Sequence, residues 1–328
     1  MRRTLWIVRT DDRSMLDAAV GRKIAMAERK RVHGWLSAAG HDPETFLAAL
    51  EARALDLIDA QPGVFTRELT QVAPELATRV LLGKGKWAKE TPIASRLLFM
   101  LAMDGAIVRT APSGSWKTSQ YGWRRAAPLD VIPPAQARAA LVSAYLRAFG
   151  PVTETDVKWW TGLTVSQTRA ALADVGVPVR LEGGDGWDAR EAPMASVLPS
   201  SATVDPENAD AGAGRASLHD PDHPVASLLP GLDPTPMGYK ERAWFLGDHE
   251  AALFDRNGNI GPTIWVDGRI VGGWAVTRDG AVVTRLLEDP GTAAIGAIRT
   301  EADALTTWLD RTSVTPRFRT PLERDLTA

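Results

Sequence analysis

The sequence predicts an α+β fold, with tandem helix–helix–hairpin units followed by a β-rich C-terminal region. Three observations predict it. The order helix, helix, hairpin occurs twice, over residues 65–123 and again over 134–189. From residue 225 onward, short apolar runs are punctuated by Asn257-Gly258, Asp267-Gly268 and Asp279-Gly280, the turn signals of an antiparallel meander. Between the two regions, residues 196–224 are rich in Ala, Ser, Asp, Pro and Gly and carry no periodicity, which reads as a flexible linker or mobile loop.

Taken in order, Arg3–Val8 ("RTLWIV") is a short strand-like run that starts almost at the first residue, with no partner before it. Ser14–Ala38 reads as one helix, on which Arg22/Arg29 and Lys23/Lys30 repeat at seven and share a basic face. A solvated face is the preferred account of it over a phosphate contact. Asp42 caps a second helix, with Pro43 at its first position, running to about Ala60. Thr66 is read as the cap of a short helix. A further helix carries Ile93, Leu97, Met100 and Leu101 at helical spacing and ends at Gly105. "AIVRTAPSGSWKTSQYGW" then supplies two extended arms around a Pro-Ser-Gly turn.

Helix, helix and hairpin in that order describe a winged helix, and the order recurs. A helix over 134–149 precedes "GPVTETDVKWWTGLTVSQTRAAL", where Thr153 and Asp156 form a capping box and Thr164 caps a second short helix. This is helix-turn-helix spacing. "VPVRLEGGDGWDA" closes the unit as a small hairpin, and a last helix is expected over about Glu301–Leu309. The tryptophans at 35, 159, 160, 244, 265, 274 and 308 are read as core.

The total charge of −2 conceals a division. Residues 1–150 hold 22 Lys and Arg against 14 Asp and Glu, a net of +8, while residues 151–328 carry −10. An anionic partner therefore belongs along the first half. The chain has no cysteine, which excludes disulfides, thiolate metal sites and a cysteine nucleophile. No apolar run approaches the ~20 residues of a membrane span, and a signal-peptide pattern is lacking, so a cytoplasmic protein without a membrane partner is expected. His219 and His223 in "HDPDH" lack a third ligand at useful spacing, and neither metal nor cofactor is expected.

The segments "MRRTLWIV", "GKGKWAKETPIASRLLFMLAMDGAIVRTAPSGSWKTSQYGW", "YLRAFGPVTETDVKWWTGLTVSQTRAAL", "LLPGLDPTPMGYKERAWFL" and "DRNGNIGPTIWVDGRIVGGW" resemble, in order, the bacterial winged-helix DNA glycosylases, the AlkZ-like proteins. The resemblance covers nearly the whole chain. It implies three tandem winged helices closed by a β-rich region, acting on duplex DNA, excising N-alkylated bases or unhooking interstrand crosslinks. It also divides the chain into a remnant of a first winged helix plus helices (1–62), winged helices at 63–130 and 131–195, the linker, and a C-terminal region at 225–328.

The family's catalytic signature is Gln-x-Gln or Gln-x-Asp, placed upstream of where this chain begins. Such a pair would orient a water toward the sugar as a cationic base departs. The five glutamines here are Gln61, Gln71, Gln120, Gln136 and Gln167; no two stand two apart and none has Asp at +2. The expectation is a truncated chain, a misassigned start, or a member without the catalytic piece, so no catalytic residue is named. The alternative is a non-enzymatic winged-helix DNA-binding or regulatory protein.

Lys84, Lys86 and Lys89 interleave with glycines in a loop suited to a DNA backbone, without Walker spacing. Arg96 lies early in the candidate recognition helix, Lys117 in the wing, and Arg124 and Arg125 after it. These make the best phosphate-contact set. Lys158 and Arg169 are their counterparts in the second unit, where surrounding acidity makes that unit read as scaffold. Arg256 and Arg269 sit at β-turns whose tips could reach a minor groove. The expected partner is double-stranded, alkylated DNA, bound by a monomer.

Overall fold

The computed structural model describes residues 8–83, 85–114, 120–190, 223–312, 316 and 319–328. The expected strand from Arg3 and nearly all of the expected linker lie outside them. The chain divides into two units: the first runs to Arg147 and includes Thr161–Val177, and the second joins Ala148–Trp160 to Pro178 and all that follows. The architecture is α+β with small antiparallel sheets.

In the first unit, α1 (Arg13–Leu16), a π-helical turn (Asp17–Gly21) and α2 (Arg22–Ala38) occupy the span expected as one helix. The Asp42 carboxylate accepts from Thr45 N at 3.1 Å and starts α3 (Pro43–Ala60). The helix buries Leu47, Leu50, Ala54 and Ile58, which recur every three to four residues. In α4 (Thr66–Val72) the sequence reading needs correction. Phe65 is the N-cap, and its backbone N–H donates to Glu68 at 2.8 Å. The Thr66 hydroxyl accepts instead from Trp123 Nε1 at 3.0 Å. A hairpin that sequence reading treated as a loop follows, β1 (Arg79–Leu82) with β2 (Lys89–Pro92).

Leu97, Leu98 and Leu101 of α5 (Ala94–Met103) are buried, and Gly105 takes φ 76° just beyond the helix. The expected hairpin is β3 (Ile107–Pro112) antiparallel to β4 (Tyr121–Arg125). It gains a third rung where Val64 bridges Trp123, with Gly63 N donating to Trp123 O at 2.7 Å. That approach is so close that a Cβ on Gly122 would lie 1.9 Å from Gly63 O. Trp123 and Ile107 join residues of α2 to α5 in one apolar cluster. Each Leu or Ile fully buried there contributes about 1.5–3 kcal/mol of transfer free energy. After α6 (Pro134–Phe149) and α7 (Glu154–Thr161), α8 (Val165–Val175) begins at a Thr164/Gln167 capping box, and the unit boundary crosses α7.

The second unit takes in most of the hairpin β5 (Gly176–Leu181)–β6 (Gly184–Ala189). Its main sheet runs β10-β9-β8-β7, built from β7 (Ala226–Leu229), β8 (Thr263–Val266), β9 (Arg269–Val276) and β10 (Val282–Leu286). "TIWV" and much of "RIVGGWAV" are apolar without polar alternation because both faces are covered. Trp265 and Ile270 pack with Phe245, Leu253 and Leu322 on one side. Ile264, Val266, Val271 and Trp274 pack with Ala294 and Ile298 on the other. The short helices α9 (Pro234–Met237), α10 (Ala243–Leu246) and α11 (Glu250–Leu253) follow β7, and α13 (Pro321–Leu326) closes the chain.

Three expectations change here. Asn257-Gly258 does not separate two strands but closes a loop with the single bridge Phe254–Ile260. The last long helix, α12, spans Thr292–Leu309 and so begins nine residues before the expected start. Its first half is Ala- and Gly-rich and lacks the bulky periodicity that marks helices in sequence. Trp265 and Trp274 are core, but Trp244 and Trp308 are 63% and 74% exposed.

Candidate nucleic-acid interface

The first unit's cations fall into two groups by local geometry. Several arginines are neutralised within the unit. Arg22 meets Asp17 at 2.9 Å, Arg53 meets Glu75 at 3.4 Å, and Arg79 meets Glu90 at 3.1 Å. Arg29 reaches Glu51 and Asp104 at 2.5 Å each. The arginines of the basic α2 face thus turn to the protein's own carboxylates, while Lys23 and Lys30 stay exposed. Arg125, from the expected contact set, also pairs, with Asp59 at 3.3 Å.

In the second group, Lys89, Arg124 and Arg96 have no carboxylate within ion-pair distance among the described residues. Lys89 is exposed at the start of β2. Arg124 is exposed on β4, where Nη1 donates to the Arg125 carbonyl at 3.2 Å. Arg96 occupies the first turn of α5, its guanidinium 5.8 Å from the Trp35 ring centroid. Its Nε is buried and finds no acceptor among the described residues. Lys86 is exposed in a 3₁₀ turn, Gly85–Trp87. Lys84 and Lys117 lie outside the described residues.

Sequence reasoning missed Arg109 on β3. Its guanidinium lies 3.8 Å from the Tyr121 ring centroid and 5.7 Å from that of Trp123. Arg109 faces Trp123 in the hairpin register, so the pairing itself brings charge and ring to one face. The register was the signal available in the sequence, but a bulge between Arg109 and Pro112 hides it.

The second unit holds Arg256, Arg269 and Lys158. Arg256 is exposed in the 254–260 loop, where Asp255 accepts from the backbone of Asn257 and Asn259 at 2.7 and 2.9 Å. Arg269 makes a two-toothed contact with Glu288, Nε at 2.7 Å and Nη2 at 3.1 Å, and His249 Nε2 stands 3.0 Å from the same carboxylate. The hydrogen bond from Arg269 holds the Glu288 carboxyl below its ordinary value against a partial burial that works the other way. A phosphate at Arg269 would have to displace Glu288. Lys158 and Arg169 are exposed on α7 and α8, in different units. No group of three or more His, Asp and Glu able to hold a metal stands together among the described residues.

The same unit carries a groove of about 990 Å³ walled by Gly150–Asp156, Leu181–Asp185 and Tyr239–Gly247. Asp156 builds its floor. Beyond its capping bonds to Thr153, Oδ1 accepts from Lys240 N and Glu241 N at 2.6 and 2.8 Å. Tyr239 donates its hydroxyl to Phe149 O at 2.8 Å, and Trp244 stands edge-on to Tyr239.

The family model "DNA glycosylase AlkZ-like" matches residues 1–308. The fold is similar to that of the solved Streptomyces sahachiroi DNA glycosylase AlkZ, with a TM-score of 0.60 at 18% sequence identity, over 94% of this chain and 77% of that one. No curated protein matches the chain. A family match spanning nearly the whole length, over a fold that follows a solved member, means that this chain belongs to the AlkZ-like DNA glycosylase family.

Proposed function

We propose that the chain is a monomeric DNA-repair protein that engages N-alkylated or crosslinked duplex DNA through its first unit. We further propose that these 328 residues bind DNA without excising a base. The observation that carries the reading is the concentration of positive charge over residues 1–150, a net of +8, within a chain of a DNA-glycosylase family. The rung Val64–Trp123 followed by α4, α5 and the β3–β4 hairpin supports a winged helix. In that arrangement α5 is the recognition helix, bearing Arg96, and the hairpin is the wing, bearing Arg124. Lys86 and Lys89 contact the backbone beside them. Excision requires an oriented water, and the Gln-x-Gln or Gln-x-Asp pair suited to that task is not in the sequence.

Fluorescence anisotropy with a methylated duplex, together with chromatography of released bases, tests the reading. Affinity should fall about 100-fold between 50 and 200 mM salt, as roughly four neutralised phosphates require. No N-methylpurine should be released. Base release by this chain would overturn the non-excising reading. Salt-insensitive binding, or none, would overturn the DNA-binding one. A sequence-selective dimer would favour a regulator.

A further inference from the structure

We propose that Arg109, laid flat on Tyr121, forms a preorganised site for one phosphodiester of the DNA backbone. This inference rests on the DNA-binding reading of the first unit.

A guanidinium carries five N–H donors in a planar fork. Each arginine of the first unit paired above directs that fork to a carboxylate of the protein. Arg109 does not. Its recorded interactions are the Tyr121 and Trp123 rings, and among the described residues no carboxylate or carbonyl takes its N–H groups. One flat side is covered by an aromatic ring, while the residue as a whole remains exposed. The covering lowers Arg109 from the ordinary guanidinium value, with Tyr121 opposing, as expected for a charge partly stripped of water without a counter-charge in exchange.

The shelf itself is rigid. Trp123 is 4% exposed and anchored by its Nε1 to Thr66, and Tyr121 meets it edge-on with 5.5 Å between centroids. Gly122 N donates to the Thr110 hydroxyl at 2.9 Å and fixes the backbone just after Arg109. Stacking therefore removes most of the rotamer freedom an arginine loses when it binds, and leaves the N–H edge without a protein acceptor among the described residues. A planar fork with that edge open matches the two non-bridging oxygens of a phosphodiester. Arg124 lies on the neighbouring strand, one register position away, and supplies a second cation on the same hairpin.

The test is duplex binding by anisotropy at 50–300 mM salt, with melting temperature measured in parallel. Arg109→Gln should weaken binding about tenfold at 100 mM salt and reduce the log–log salt slope by about 0.9, one phosphate's share. Arg109→Lys should keep the slope and lose about threefold. Tyr121→Leu, which retains the charge but removes the shelf, should also keep the slope and lose affinity. If Arg109→Gln leaves slope and affinity unchanged, or lowers only the melting temperature, the residue is a cover for the rings and the proposal falls. If the wild-type chain shows no salt-sensitive binding, the broader reading falls first, and the two failures are distinct.

Discussion

Asp156 shows how much one carboxylate can organise. It is 2% exposed, and its oxygens take the Thr153 hydroxyl and the backbone N–H groups of Thr153, Lys240 and Glu241. Removing it leaves four partly buried donors without their acceptor, so Asp156→Ala should cost about 3 kcal/mol in urea unfolding. Amide exchange at residues 240–241 should accelerate most. Half of this role was legible in the sequence, since Thr-x-x-Asp is a capping pattern. The other half joins residues 84 positions apart and has no local signature. Glu288 supports a pH prediction. Its folded value is depressed, so the stability it contributes is present above the ordinary carboxyl value and is lost as pH falls through the depressed one. Arg269→Gln should raise the Glu288 value in a carbon-13 NMR titration. It should cost less than about 1 kcal/mol at neutral pH, and the gap to wild type should close in acid.

At the scale of elements, the caps and breakers of the sequence placed α3, α5, α6 and α8 well, because Asp42, Gly105, Pro134 and Thr164 act within one turn of the residues they punctuate. The β1–β2 hairpin and the early start of α12 were not legible. Charged residues mask the strand pattern in the first, and small residues that allow close packing on β7 and β10 replace bulky periodicity in the second. The wing stands on such a small residue. Gly122→Ala would force a methyl group into the Gly63 carbonyl and should destabilise the chain by about 3 kcal/mol. Thermal melts would show the loss, and a melting temperature within a degree of wild type would contradict the rung at Val64–Trp123.

For the whole molecule, the division of charge between the two halves and the ordered family segments were visible before any coordinates. Which cations are available to a ligand was not. Arg124 and Arg125 are adjacent in sequence, yet one reaches Asp59 and the other does not, a distinction made by strand alternation and a helix sixty residues earlier. Arg109 went unnoticed because its partner is a ring brought alongside by pairing, not a neighbouring charge.

The second unit draws its chain from both sides of residues 191–222, with α7 and the β5–β6 hairpin before that stretch and the main sheet after it. On the ribosome this makes the order of synthesis matter. When Arg190 emerges, Asp156 is already made, but the Lys240 and Glu241 amides it will hold do not yet exist. The described part of the first unit is made by Val177, while the second unit must wait for α13.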